Sequence, residues 1–343
     1  MESLTSGLGI ILLAALFQGS FVVPMAYARG WKWENSWLVF SVSGMLIFNG
    51  VFAWSTVPGL ISVYSQATAV QLLIPIVFGA LWGIGAICFG LGMAAVGLAL
   101  GYAIIMGLVL GMGAFLPMIC LHPADVFTVK GQVVITGFVV MLFGILVSGL
   151  AGILKENEQG TRAGEITKTT DISLGMGLLI CLVAGIFSSL NNVGYALSEP
   201  LIKLAESRGT SPLWAGNAVW LLIFSSGGVV NITYSLVLLK RRKTFGLYKN
   251  PDILKNFGLV AAMALMWIGS FVLYGLGASK MGNWGTVIGW SVFIALSIAL
   301  GNLWGILQGE WKGTKAKSRR IMVISMTIQV LAILIFAWGS VLK

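Results

Sequence analysis

Apolar blocks long enough to cross a lipid bilayer recur along the whole chain, from one end to the other. A membrane-spanning α-helix needs about 20 apolar residues, and the blocks reach that length repeatedly. Only 9% of the residues are charged, against roughly 25% in a soluble domain. Backbone groups in lipid must hydrogen bond internally, and these blocks are too long and too evenly apolar for barrel strands. We therefore predict an all-α polytopic membrane protein.

Ten membrane-spanning helices are predicted from the positions of these blocks. The third and fourth spans are separated only by Gly97 and its neighbours. We expect two helices joined by a tight turn there, because a single helix of that length would far exceed the thickness of a bilayer. The predicted spans are residues 8–28, 36–56, 72–96, 98–121, 131–153, 172–198, 213–239, 257–279, 284–307 and 320–341.

Basic residues are concentrated on one side of the predicted helical array. Most of the 21 Lys and Arg residues fall in loops that follow odd-numbered spans, including the stretches 240–243 and 312–320. The positive-inside rule puts these loops in the cytoplasm and both termini on the non-cytoplasmic side of the cell inner membrane. We expect the basic stretches to contact anionic lipid of the bilayer, and we predict neither nucleic-acid binding nor an obligate protein partner.

A polar connection at residues 154–171 divides the chain into two apolar halves, residues 1–153 and 172–343. An offset alignment of the halves superposes Trp82 on Trp267, and the glycine pattern around each matches as well. Five spans in each half is an odd number, so the second half would cross the membrane in the opposite direction. Inverted repeats are typical of secondary transporters, whose substrate site lies near the midplane where the halves meet. We therefore predict a transporter of two inverted five-helix repeats.

Asp, Glu, Lys and Arg are absent from the middle of every predicted span. A charge at the bilayer centre costs about 2.5–3.5 kcal/mol on insertion scales, so their absence favours a neutral polar substrate and predicts no buried carboxylate. The nearest acid, Glu199 beside Pro200, is expected to face water. The three cysteines have no metal-ligand spacing, and the one histidine, His122, lies in a loop. We predict no enzyme activity, no catalytic residue, no metal site and no cofactor.

Amide side chains and deeply placed aromatic rings are the groups that would bind a neutral solute. A sugar presents an apolar face of C–H groups and a rim of hydroxyls, so an aromatic ring beside amides suits it. Hydrogen bonds between helices and simple packing are the structural alternatives for each of these residues. The adjacent amides Asn191 and Asn192 are the strongest pair in this respect, because neighbouring side chains on a helix point in different directions. The predicted substrate-binding residues are Asn191, Asn192, Trp82, Tyr274, Trp290 and Gln18.

Several short motifs spread over the chain carry a family resemblance. They are Phe78-Gly-Ala-Leu-Trp-Gly-Ile-Gly85, Trp31-x-Trp33-Glu34-x-x-Trp37, Ile186-Phe187-Ser188, the segment from Tyr274 to Trp290, and Glu310-Trp311. As a set they resemble the L-rhamnose–proton symporter family of the drug/metabolite transporter superfamily. The resemblance implies a ten-helix fold of inverted repeats and uptake of a small sugar driven by an ion gradient.

The chain departs from the family pattern at positions that bear on the substrate and the ion. Ala86 and Cys88 stand where the family has amides, and Trp284 and Thr286 stand where it has Gln and Asp. With that acid missing, H+ and Na+ both stay open as the coupling ion, as does uncoupled facilitation. The leading hypothesis is ion symport of L-rhamnose or a related sugar by alternating access. The alternative is a drug/metabolite exporter or a facilitator of another small polar metabolite.

Overall fold

A computed structural model describes residues 2–159 and 173–342 of the chain, and all regular structure in these ranges is helical. This confirms the predicted all-α class. A π-helix, Ser41–Phe48, joins α2 to α3, and a second, Gly285–Gly289, leads into α12. The helices are α1 (Glu2–Ser20), α2 (Trp33–Phe40), α3 (Asn49–Thr56), α4 (Leu60–Gln66), α5 (Ala69–Val96), α6 (Leu98–Leu121), α7 (Val129–Glu158), α8 (Leu174–Leu197), α9 (Glu199–Ser207), α10 (Asn217–Arg242), α11 (Ile253–Met281), α12 (Trp290–Leu307) and α13 (Ala316–Val341).

Nine helical segments within the described ranges are long and apolar enough to cross a membrane. Eight of them each match one predicted span. The remaining segment, Ile253–Leu307, is 55 residues long and contains both α11 and α12. The predicted polar connection at 154–171 begins inside α7, and its residues 160–171 lie outside the described part of the chain.

A single glycine separates α5 from α6, as predicted. Gly97 has a φ of 97°, in the region that favours glycine, so it reverses the chain without a longer loop. Gly282, which follows α11, also has a positive φ, of 68°. The two breaks therefore occupy matching places, one after each of two long helices.

The helices pack in pairs around a shared centre. The most extensive contacts join α5 to α8, α7 to α13, α1 to α11, and α5 to α10. Small residues allow these approaches: a Cβ atom added to Gly83 of α5 would lie 2.7 Å from the carbonyl oxygen of Gly227 in α10. Such contacts between backbones are the usual means by which helices associate in lipid.

One carboxylate is buried, contrary to the prediction from the sequence. Glu34, in the first turn of α2, has no exposed area. Its Oε2 accepts a hydrogen bond from Nη1 of Arg242 at 3.0 Å, and its Oε1 accepts one from Oγ1 of Thr244 at 2.9 Å. The prediction was wrong because the end of α10 and the loop after it cover this turn, and a linear pattern does not reveal such closure.

We predict that Gly83→Ala destabilises the protein by about 1–3 kcal/mol, because the added methyl group meets backbone atoms of α10 that have no room to move. Gly50→Ala is the matched control, since a Cβ atom at Gly50 meets nothing within 4 Å. The melting temperature in detergent should fall for Gly83→Ala and stay level or rise slightly for Gly50→Ala. Equal melting temperatures for the two variants would contradict this packing.

Candidate functional site

A cavity of about 400 Å³ lies at the centre of the helical array. We call it the central cavity. Residues from α1, α2, α5, α6, α8, α11 and α12 line it, and it extends toward Val22 and Met25 in the loop after α1. That is the side on which the basic residues are concentrated. Its volume is within the range of small-molecule sites, about 300–1,000 Å³.

Two indole rings form one wall of the central cavity. Trp82 of α5 and Trp267 of α11 are stacked, with ring centroids 5.8 Å apart and an angle of 22° between the planes. Phe224 of α10 supports both rings from behind, at 5.2 Å and 4.7 Å. Neither indole N–H of the pair donates to another residue in the described ranges. The wall therefore combines a broad apolar face with two available N–H donors.

Two amide side chains also line the central cavity. Asn191 of α8 lines the cavity, and its Oδ1 accepts the backbone N–H of Asn192 at 2.7 Å, while its Nδ2 has no protein partner among the described residues. Gln18 of α1 is similar: its Oε1 accepts from Oγ of Ser270 at 2.7 Å, and no described residue accepts from its Nε2. Both amides thus keep N–H donors for a bound solute. Ser188, next to Asn191 on α8, adds a hydroxyl.

Trp290 also lines the cavity, but its indole nitrogen is committed. Its Nε1 donates to the carbonyl oxygen of Val109 at 3.1 Å, which fixes the ring against α6. Of the six residues predicted to bind substrate, the structure therefore brings four to the cavity lining. These are Gln18, Trp82, Asn191 and Trp290.

Asn192 and Tyr274 lie behind the cavity wall instead. The hydroxyl of Tyr274 donates to Oδ1 of Asn192 at 2.5 Å. The Nδ2 of Asn192 donates to the carbonyl oxygens of Gly113 at 2.7 Å and Thr286 at 2.9 Å. Both side chains are fully buried. The Asn192 amide thereby connects α8 to α6, to α11 and to the segment before α12, and we call this set of bonds the Asn192 tie.

A second cavity, of about 500 Å³, lies on the opposite side of the Asn192 tie. We call it the outer cavity. Tyr195, Glu199 and Thr286 are among its lining residues, and within the described ranges no residue lines both cavities. Glu199 is 55% exposed and pairs with Lys203 at 2.7 Å, so it faces water as expected.

Sequence reasoning left Trp267, Ser188 and Ser297 out of the binding set, although all three line the central cavity. The signal for Trp267 was present, because the repeat alignment pairs it with Trp82. The serines carried no comparable signal, since hydroxyls in apolar helices commonly bond to their own backbone, as Ser297 does to the carbonyl oxygen of Phe293 at 2.6 Å.

Sequence comparison relates the chain to proteins of a known family. The family model described as L-rhamnose-proton symport protein matches residues 2–341. Curated proteins named L-rhamnose-proton symporter, from Yersinia pestis and Yersinia pseudotuberculosis, are each 27% identical over 341 residues, covering 97% of this chain and 97% of the relative. Because the match spans nearly the whole chain, this multi-pass membrane protein belongs to the L-rhamnose-proton symport protein family.

Proposed function

We propose that the chain takes up L-rhamnose or a related small neutral sugar by proton symport across the cell inner membrane. Membership in a family of symporters makes it a transporter and not an enzyme. The main support for this proposal is that one cavity is lined both by two stacked indoles and by amides with unused N–H donors. The apolar face of the sugar ring would lie on the indoles, and the sugar hydroxyls would accept hydrogen bonds from the amide N–H groups.

The affinity expected of such a site is modest. Each hydrogen bond to a hydroxyl contributes about 0.5–1.5 kcal/mol, and no ion pair adds to it because no Asp, Glu, Lys or Arg in the described ranges lines the central cavity. A transporter must also release its substrate, so modest binding fits the task. Sugars that differ in one hydroxyl would be distinguished mainly by Asn191 and Gln18.

Ten spans arranged as inverted repeats of the drug/metabolite transporter fold complete the proposal. Gly282 would divide the long segment Ile253–Leu307 into two spans. Helix contacts that repeat after an exchange of halves support the symmetry: α5 packs on α8 as α11 packs on α1, and α6 packs on α8 as α12 packs on α1. The paired Trp82 and Trp267 meet between the halves. Both termini would then lie on the non-cytoplasmic side.

Alternating access would work by breaking and remaking the Asn192 tie. With the tie intact, the central cavity extends toward the cytoplasmic side and is separated from the outer cavity. If the tie broke and the helices separated on the outer side while they closed on the inner side, the same amides and indoles would be exposed to the outside.

A second candidate function is export of a less polar metabolite. The observation that favours it is the apolar surface that Phe89, Met93 and Met106 contribute to the lining of the central cavity. For symport, Na+ is the alternative coupling ion. Efflux of such a compound from loaded vesicles without competition by sugars would support export over sugar uptake.

We predict that Trp82→Ala weakens L-rhamnose uptake at least tenfold, which corresponds to about 1.4 kcal/mol, by removing half of the stacked wall. Trp338→Ala is the matched control, because this α13 ring is 57% exposed on the outside of the helical array. Uptake of radiolabelled sugar into proteoliposomes measures the effect. Normal uptake kinetics in Trp82→Ala, at equal protein levels, would contradict the site.

We predict that the two adjacent amides respond differently to alanine. Asn191→Ala should weaken sugar binding several-fold with little change in melting temperature, because its Nδ2 has no described protein partner. Asn192→Ala should lower stability by about 1–3 kcal/mol, because it leaves the Tyr274 hydroxyl and two carbonyl groups unpaired. Thermal unfolding with and without sugar separates the two effects, and a stable Asn192→Ala variant would show that the tie contributes little.

A further inference from the structure

Glu34 is the one charged side chain with no solvent exposure in the part of the chain whose burial is described. It lies in the first turn of α2, directly after Trp33, and both Trp33 and Trp37 line the central cavity. A fully buried carboxylate is rare in proteins unless it is paired.

The charges around Glu34 come from the second half of the chain. Arg242, at the end of α10, donates to the carboxylate at 3.0 Å, and the Thr244 hydroxyl donates at 2.9 Å. The other titratable groups nearby are Tyr234 of α10 and Tyr248 of the following loop. Tyrosine ordinarily ionises near pH 10 and arginine stays charged, so the carboxyl is the group whose protonation would change during transport.

The remaining acids near the cavities all have at least partial solvent exposure, Glu206 and Glu156 included. Glu199 at the outer cavity is 55% exposed and Glu310 is 51% exposed, and each is paired with a lysine. Acids in such contact with water exchange protons freely with the adjoining solution. They therefore cannot hold a proton on one side of the membrane until the protein has changed conformation. Glu34 differs because its exposure depends on how α2 and α10 are arranged.

We infer that Glu34 carries the coupling proton and that Arg242 drives its release. This rests on the proposed function, and it names the ion-binding group that the central cavity lacks. In the conformation described, the carboxylate is ionised and neutralised by Arg242, which is the state that follows release of the proton to the cytoplasm. If the halves reorient so that the pair separates, a buried charge is left unpaired, and binding of one proton neutralises it.

The step balances without any further reactant. One carboxylate and one proton give one carboxylic acid when the site faces outward. When the pair with Arg242 forms again, the carboxylic acid returns the proton to water on the cytoplasmic side. Arg242 keeps its charge throughout, so a single positive charge enters with each neutral sugar.

The test is the Glu34→Gln variant reconstituted in proteoliposomes. One assay measures L-rhamnose counterflow, and a second measures L-rhamnose accumulation under an inward proton gradient. Glutamine keeps the shape and can still accept from Thr244 but cannot take up the proton. We expect accumulation driven by the proton gradient to fall at least tenfold, sugar-evoked alkalinisation of the medium to vanish, and counterflow to stay within twofold of the parent. Glu310→Gln, which removes another paired carboxylate, should retain all three activities.

A second variant decides the outcome if Glu34→Gln does not fold. Arg242→Gln leaves the carboxyl in place without its cation, so protonation becomes easier and the half-maximal pH of uptake should move upward by about one unit or more. An unchanged pH profile in Arg242→Gln, or full accumulation by Glu34→Gln, overturns the assignment of Glu34. A parent protein without sugar counterflow contradicts the proposed function itself. Counterflow with Na+-dependent, pH-independent accumulation contradicts proton coupling and the role of Glu34, but it leaves sugar transport itself standing.

Discussion

The side chain of Asn192 holds together the helices between the central cavity and the outer cavity. Its amide bonds to carbonyl oxygens of Gly113 and Thr286 and to the hydroxyl of Tyr274, so that four helical segments meet at one buried group. An unpaired amide in a low-dielectric interior is costly. Conformations in which the Asn192 amide keeps all of these bonds, or exchanges all of them for other partners, are therefore favoured over conformations that leave it partly unpaired. Packed interfaces that switch between discrete arrangements are the usual basis of such transitions.

This constraint explains the distribution of polar groups around the central cavity. Groups that hold the helices are fully paired, as in the Asn192 tie and in the bond from Trp290 to the carbonyl oxygen of Val109. Groups aimed into the cavity, such as the amide nitrogens of Asn191 and Gln18, lack partners among the described residues. The separation of paired from unpaired donors distinguishes the proposed substrate-binding surface from the residues that support it.

Much of this arrangement could be predicted from the sequence, and the exceptions have physical causes. Apolar length predicted the helices, and a lone glycine predicted the break at Gly97. Which of two adjacent amides faces the cavity depends on the rotation of α8 against α5 and α6, which linear periodicity does not fix. Glu34 was missed because its burial results from Arg242 and Thr244, more than 200 residues away in the chain.

Thermal stability of the detergent-purified protein with a panel of sugars, at varied pH and Na+ concentration, tests the central claim most directly. A ligand that binds only the folded state stabilises it by RT ln(1 + L/Kd), where L is the free ligand concentration, so the melting temperature rises with ligand concentration. We predict a concentration-dependent rise with L-rhamnose or a closely related sugar, dependent on pH and independent of Na+. A rise with an amphipathic or nitrogenous metabolite and with no sugar would contradict it.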